Sequence, residues 1–419
     1  MNEVAAPAAR NAIETTSAPL ADAPGLNDLR ANDPWANDPR ANDAGINDAG
    51  SRAELELLWA RGRAFLGAEL AIMGGAMTWV SERNLVAAIS NAGGFGVIAS
   101  GSMPPDLLDA EIAATAALTS KPFGVNLITM HPRLGELIAV CLARRVGHVV
   151  LAGGIPASAA IQRLRDGGAR VICFAPAFGI ARKLVRAGAD AIVVEGSEAG
   201  GHIGPVSTAV LAQEVLPHLR EVPVFVAGGI GRGEAIVSYL EMGAAGVQLG
   251  TRFVCAHESI AHPRFKHAFI RATARDAVPS LQLDARFPVI PVRALANAAT
   301  ECFRETQRAV IDRFNRGELS QKAAQLEIEH FWAGALRRAV IDGDVEGGSL
   351  MAGQSVGMVT REQSTADILA ELVDQALAVI AARHARFRGR TQPAGPALPG
   401  VVSAGVVSAG VVSAGAVSE

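Results

Sequence analysis

Cysteine is scarce in this chain: Cys141, Cys173, Cys255 and Cys302 are the four among 419 residues. They are widely spaced, form no C-x-x-C pair and follow no secretory leader pattern, so they read as reduced thiols of a cytoplasmic protein. No uninterrupted apolar stretch approaches the roughly 20 residues a membrane helix requires. A surplus of charge is missing too. The formal net charge of −3 gives no field to draw in nucleic acid or an anionic membrane. The histidines do not pair at metal spacing: His262 and His267 are five apart, off a shared helical face, so no metal is expected. No G-x-G-x-x-G opens a helix after a strand and no G-x-x-x-x-G-K-[ST] occurs, which argues against a Rossmann-bound dinucleotide and a P-loop nucleotide. What is present is a chain that is 50% hydrophobic and 19% charged, enough for one large domain or two ordinary ones.

Both ends read as disordered tails. Asn-Asp recurs every five residues from Asn27 to Asn47, a period of neither helix nor strand, and Val-Val-Ser-Ala-Gly occurs three times from Val401 onward. Between them the chain beats regularly. Apolar runs, most of them rich in β-branched residues, occur at Glu69–Gly75, Phe95–Gly101, Phe123–Thr129, His148–Gly154, Ala169–Pro176, Ala191–Gly196, Val222–Gly229 and Gly246–Phe253. Helical patterns separate them, and several end in a glycine suited to a C-cap (Gly93, Gly167, Gly188, Gly243). Eight β runs alternating with helices predict an α/β fold, a closed (β/α)8 TIM barrel, with an open doubly wound sheet as its competitor. The rhythm breaks after the eighth run. The predicted organisation is a tail over 1–52, a barrel over 53–261, a helical cap over 262–348 with helices at Asn297–Phe314 and Ser320–Ile341, a return loop and closing helix over 349–390, and a tail over 391–419.

The stretch around which the rest is organised is Ala191-Ile-Val-Val-Glu-Gly-Ser-Glu-Ala-Gly-Gly-His-Ile-Gly204. Its apolar start reads as a buried parallel strand. Glu195, Glu198, two glycines and His202 then fall on the loop leaving the strand's C-terminal end, where barrels of this class hold ligands. His202 can take a proton near neutral pH; the alternative is a glycine-rich turn with a surface histidine. Ala227-Gly228-Gly229-Ile230 after the seventh run and Gln248-Leu249-Gly250-Thr251 at the eighth match the usual phosphate grip of such barrels. Thr251 adds a hydroxyl donor, and a helix starting near Gly231 offers its N-terminal dipole. A phosphate grip without a metal cluster suits a phosphorylated planar cofactor, with FMN a leading candidate. Asn91 and Asn126 are amides able to bond a flavin or substrate edge. Cys255 is four residues past Thr251, but no base accompanies it as a nucleophile.

Six segments occur in one order: Gly75-Ala-Met-Thr-Trp-Val-Ser81, Ser90-Asn-Ala-Gly-Gly-Phe-Gly96, Lys121-Pro-Phe-Gly-Val-Asn-Leu127, Glu195 to Gly204, Ala227-Gly-Gly-Ile230 and Gln248-Leu-Gly-Thr-Arg-Phe253. Together they resemble the nitronate monooxygenase (2-nitropropane dioxygenase) family, which includes FMN-dependent enoyl-acyl-carrier-protein reductases. The resemblance covers about Leu66 to Leu377. It implies an FMN-bound barrel with a helical substrate domain, and flavin contacts on Gly75, Met77, Asn91, Asn126, Glu195, Gly200, Gly228, Gly229, Gln248, Leu249, Gly250 and Thr251. His202 matches the family's active-site histidine. Two departures stand out: many monooxygenase members carry Gln where this chain has Glu195, and Pro where it has Ala76. Gly75 to Val80 and Gly343-Asp-Val-Glu-Gly-Gly-Ser-Leu-Met-Ala-Gly-Gln354 look closer to the enoyl-reductase branch.

The resemblance thus implies an FMN-dependent nitronate monooxygenase that oxidises alkyl nitronates with O2 to a carbonyl compound and nitrite. The alternative is an NAD(P)H-dependent enoyl-thioester reductase, and a second alternative is a flavin-binding protein without turnover. The implied partners are a small molecule (an alkyl nitronate or an enoyl thioester), O2 and, for the reductase, NAD(P)H, with a homodimer left open.

Overall fold

The structure is a computed structural model that describes residues 49–287, 291–332 and 334–390. The N-terminal and C-terminal repeats all lie outside those residues. Positions 49–52, assigned above to the N-terminal tail, instead open the helix Ala49–Leu58. That helix and the next, Ala60–Leu66, are held by burial of Leu55, Trp59 and Leu66.

Eight parallel strands follow: β1 Ile72–Gly74, β2 Val97–Ala99, β3 Gly124–Ile128, β4 His148–Ala152, β5 Arg170–Phe174, β6 Ala191–Glu195, β8 Val224–Ala227 and β9 Gly246–Leu249. A two-residue strand, β7 Gly201–His202, lies between β6 and β8 in the chain and belongs elsewhere. The sheet order is β1-β9-β8-β6-β5-β4-β3-β2. Its two edges meet where Met73 bridges Phe95 in parallel, with the Gly74 amide donating to the Phe95 carbonyl at 2.9 Å. The expected (β/α)8 barrel is therefore the observed one. All eight apolar runs contain a strand. Gly93, Gly188 and Gly243 adopt the left-handed conformation beyond a helix end, with φ of 91°, 107° and 104°. After Ser158–Asp166 that conformation falls one residue later than expected, on Gly168 at φ 88°.

Strand alternation divides the apolar side chains into two cores. Val125, Leu127, Val149, Val171, Ile192, Val194, Val226 and Val247 point outward against the helices. Met73, Phe95, Val97, Val150, Ile172, Ala191, Val193, Phe225 and Ala227 fill the barrel itself. The N-terminal end of the barrel is plugged by the helix Ala60–Leu66, whose Leu66 joins the interior cluster. His148 Nε2 lies 2.9 Å from the Phe65 carbonyl oxygen, and the Arg170 guanidinium donates to the same oxygen. Burial holds the His148 pKa below its ordinary value, so this imidazole is a neutral structural element.

The closing helix, Thr365–Arg390, packs on the helix Gly233–Glu241 and on Ala49–Leu58. Arg383 pairs with Glu54 at 2.8 Å and also with Glu241.

The segment after β9 adds short strands to the helices expected there. It contains β10 Ala277–Pro279 and β11 Val292–Leu295, which pair antiparallel with each other. β11 pairs in turn with β7, so the small sheet has the order β10-β11-β7. The helices Ala298–Asn315 and Gln321–His330 bury a separate cluster of Phe287, Phe303, Val310, Ala324 and Ile328. The single helix expected from Ser320 to Ile341 is two, because Gly334 adopts φ 72° at the start of Ala335–Val340. Among the described residues no helix is long and apolar enough to cross a membrane.

One contact tests the plug. A Cβ built on Gly62 would lie 2.0 Å from the Ala245 carbonyl oxygen, whereas one on Gly147 would meet nothing within 4 Å. Gly62→Val is expected to cost about 3 kcal/mol through overpacking and to lower the melting temperature by several degrees. Gly147→Ala serves as the control, and equal thermal unfolding of the two variants would rule out the plug.

Candidate active site

The C-terminal ends of the barrel strands carry most of the predicted residues. In β3, β6 and β9, alternation places Asn126, Glu195 and Gln248 on the inner face, one layer above Gly124, Val193 and Gly246. Asn126 and Gln248 are buried, at 5% and 7% exposure. Among the described residues none of these three side chains makes a hydrogen bond. Two buried amides and a half-buried carboxyl without protein partners in one ring are open to a polar ligand. Glu195 keeps a path to solvent through the barrel mouth but is enclosed by protein, and burial pushes its pKa up to about 8. At neutral pH it is a neutral acid with one O–H donor and one carbonyl acceptor, the same complement that a Gln amide offers.

A second group converges at β1 and β9. The Gly75 amide donates to the Leu249 carbonyl at 2.8 Å. A Cβ on Gly75 would come within 3.4 Å of Gly250 Cα, and one on Gly250 within 3.5 Å of Met77 Sδ. The Ser81 hydroxyl donates to the Gly75 carbonyl at 2.8 Å and accepts from the Met77 amide at 3.0 Å, which folds this loop back on itself. Trp79, in the same loop, holds φ at 69°, a conformation that costs a non-glycine residue free energy. Its ring lies 5.9 Å from the Arg337 guanidinium of the inserted segment.

The loops after β8 and β9 meet the return segment Gly353–Met358. Thr251 Oγ1 accepts from the Gly353 amide at 2.9 Å, which leaves its own proton to donate. Gly228 and Gly229 both lie at positive φ, 96° and 74°. Added side chains there would strike Thr208 Oγ1 at 2.9 Å and Glu198 Cβ at 2.8 Å. Among the described residues the amides of Gly228, Gly229, Gly250 and Thr251 donate to no protein acceptor. Such a set of free N–H groups is a fitting cradle for a phosphate.

His202 sits on β7 at the mouth, exposed, and paired across to Val292. The surrounding protein partly desolvates it and holds its pKa below the ordinary value, so the imidazole is neutral at pH 7. Behind it the loop is fixed from several sides. Glu198 accepts from the Thr208 amide and hydroxyl, both at 2.6 Å. The Glu198 carbonyl accepts from the Gln354 amide at 2.9 Å. Gly200 lies so close to the return segment that a Cβ would meet the Gly353 nitrogen at 2.6 Å.

Three expectations need correction. Asn91 lies at the opposite end of the barrel: the helix Arg83–Asn91 runs back against the strands, so its last residue reaches their N-terminal side. There its amide donates to the Leu118 carbonyl at 3.1 Å and accepts from the Thr119 hydroxyl at 2.6 Å, a structural role. The Leu249 side chain belongs to the outer core, so only its backbone reaches the site. The helix expected near Gly231 starts at Gly233 and is closed off: the Gly233 amide donates to Gln375 Oε1 at 2.8 Å, and Leu372 O would lie 2.2 Å from an added Cβ. Cys255 is buried and its pKa is pushed up to about 12, in keeping with an inert thiol. Sequence reasoning gave no role to Ser81, although it closes the first of the six segments, and missed Arg293, which stands in no recognisable pattern.

Comparison with known proteins finds relatives over most of the barrel and solved structures of the same fold. The family model for nitronate monooxygenase matches residues 62–375. A (3aS,4S,5R,7aS)-5-hydroxy-7a-methyl-1-oxo-octahydro-1H-indene-4-carboxyl-CoA dehydrogenase of Mycobacterium tuberculosis is 31% identical over 74% of this chain and 94% of its own. A probable nitronate monooxygenase of Staphylococcus aureus is 27% identical over 66% of this chain and 92% of its own. Among solved structures, FabK from Thermotoga maritima superposes with a TM-score of 0.69 at 35% identity, covering 79% of this chain and 98% of that one. A nitroalkane oxidase from Streptomyces ansochromogenes gives 0.62 at 28%, covering 77% and 99%.

The cradle and the acid ring yield two tests. Gly250 has φ −106°, open to any residue, and an added Cβ meets Met77 only at ordinary contact distance. Gly250→Asp is therefore expected to fold normally and purify without a phosphorylated ligand, because its carboxylate repels the phosphate; a variant that keeps the ligand would refute the cradle. Glu195 gains its charge as pH rises through about 8. Ligand affinity is expected to fall above that pH in the wild type and to stay level in Glu195→Gln, measured by equilibrium titration from pH 6 to 9.

Proposed function

Because the chain belongs to the nitronate monooxygenase family and is accordingly a flavin-dependent oxidoreductase, we propose that it binds FMN at the barrel mouth and oxidises or reduces the bond next to an acyl-thioester carbonyl. The observation that carries this reading is the coincidence, in one mouth, of three elements. These are the acceptor-free amides of Gly228, Gly229, Gly250 and Thr251, the unpaired ring of Asn126, Glu195 and Gln248, and a neutral His202 on the rim. The first suits a phosphate, the second the polar edge of a flat heterocycle, and the third a proton at carbon. FMN supplies a two-electron hydride acceptor and donor.

This chain's own residues do the rest. The loops after β8 and β9 bind the phosphate, and Met77 packs beside Gly250 at the mouth. A protonated Glu195 would offer the cofactor one hydrogen-bond donor and one acceptor without adding a charge to the site. His202, neutral at working pH, takes the proton from the carbon next to the thioester carbonyl while the hydride leaves the neighbouring carbon. In the reducing direction it returns the proton. The preference for a thioester rests on relatives: the CoA-thioester dehydrogenase and FabK are 31% and 35% identical to this chain.

Alkyl nitronate oxidation with O2 is the second reading, favoured by the family model and the nitroalkane oxidase structure. It makes a related demand, since a nitro group acidifies its neighbouring carbon much as a thioester does.

An anaerobic absorbance spectrum separates the two readings. Bleaching of the flavin band by NADPH or NADH, followed by reoxidation with an enoyl thioester, is the expected result. Bleaching by an alkyl nitronate alone would replace the first reading with the second. For either substrate, His202→Ala is expected to keep its flavin and lose about 10²- to 10⁴-fold in turnover. As a base of lowered pKa, His202 places the acid limb of kcat/KM below about pH 6.5, and that limb should vanish in the variant. Undiminished turnover in His202→Ala would remove His202 from the chemistry.

A further inference from the structure

Arg293 is a charged side chain with 7% exposure, from the segment inserted after β9, yet it reaches into the loop that carries His202. Its Nε donates to the Ser197 carbonyl at 2.8 Å, and its Nη1 donates to the Ala277 carbonyl on β10. The same residue pairs through its backbone with Gly201, while Val292 pairs with His202 and the Ile203 amide donates to the Pro291 carbonyl at 3.0 Å. In an antiparallel pair, opposite residues present their side chains on one face and their neighbours on the other. Arg293 therefore shares the Gly201 face, and His202 projects from the reverse.

The guanidinium is thus behind the histidine. It ties the root of the loop at Ser197 to a strand of the insertion; burial lowers its pKa from the ordinary value, and the nearby Glu198 carboxylate opposes that shift. A planar fork with fixed donor directions can span two carbonyls in this way; a lysine ammonium cannot reproduce both directions.

We propose that Arg293 is a positioning residue for His202: its guanidinium locks the β6 loop to the inserted sheet so that the imidazole is held at a fixed height over the mouth. This rests on the proton-transfer role given to His202 above, but its geometric part can be read without turnover.

The experiment is a histidine-ring NMR titration of the flavin-loaded protein, with His202 assigned by the signal lost in His202→Gln. Arg293→Lys and Arg293→Gln are compared with wild type. In both variants the loosened loop is expected to gain solvent, moving the His202 pKa up toward the ordinary value near 6.5. Flavin content should be unchanged, and kcat should fall by about 10²-fold with KM within about threefold. A wild-type titration in Arg293→Gln would overturn the proposal. So would a shift in Arg293→Gln with a wild-type titration in Arg293→Lys, because charge alone would then suffice. If the glutamine variant does not fold, the lysine variant decides by the same criterion. Should His202→Ala leave turnover intact, the role of His202 fails while the titration still reports on the clamp.

Discussion

Closure of the barrel is the constraint on which everything else rests. Once Met73 and Phe95 join the two edges of the sheet, every second side chain of every strand is committed to an enclosed interior. The lower layers meet that demand with aromatic and branched residues and with a plug whose carbonyl takes up His148 and Arg170. The uppermost layer does not: Asn126, Glu195 and Gln248 occupy positions where an apolar residue would pack more cheaply. A closed interior that ends in unpaired polar groups is suited to hold a polar ligand. The loops above supply the matching half, because their backbone amides are left without acceptors by glycines that keep side chains out of the way.

That division explains what could be read from the sequence. The eight apolar runs were legible because a strand buried on both faces needs an unbroken apolar stretch, and each was followed by glycines or polar residues where ligands are held. Glu195, Gln248 and Thr251 were legible for the same reason, being the first residues past such runs or the polar members within them. Asn91 shows the limit of this logic. It occurs beside a run of glycines much like the others, but those glycines lead into a strand rather than out of one, so the amide lands at the wrong end. Position in a motif does not say which end of the barrel it occupies; the direction of the preceding helix does.

The inserted segment was the least legible, for a physical reason. β7 has two residues, β10 three and β11 four, too short for alternation to show, and Pro279 within β10 argues against a strand at all. Among the described residues β7 is held only by pairing with β11 across some ninety residues of chain, which no local propensity records. Gly334 hid in the same way, since a lone glycine within a helical pattern reads as tolerated until a left-handed φ shows the break.

The replacement of Gln by Glu at position 195 is then less of a departure than charge suggests. If the mouth holds a flavin as proposed, an ionised carboxylate at 195 would bring a full negative charge to the site and oppose reduction of the cofactor. Desolvation removes the conflict by holding the acid neutral at physiological pH, where it offers the donor and acceptor of an amide. The difference from Gln survives only where the acid can ionise, above about pH 8, or where a group held beside it would carry a negative charge that a neutral carboxyl could meet with a proton. An amide can donate a hydrogen bond to such a charge but cannot give up the proton. In the proposed flavin site, Glu and Gln at 195 would offer the same donor and acceptor and would differ only in whether a proton can be released.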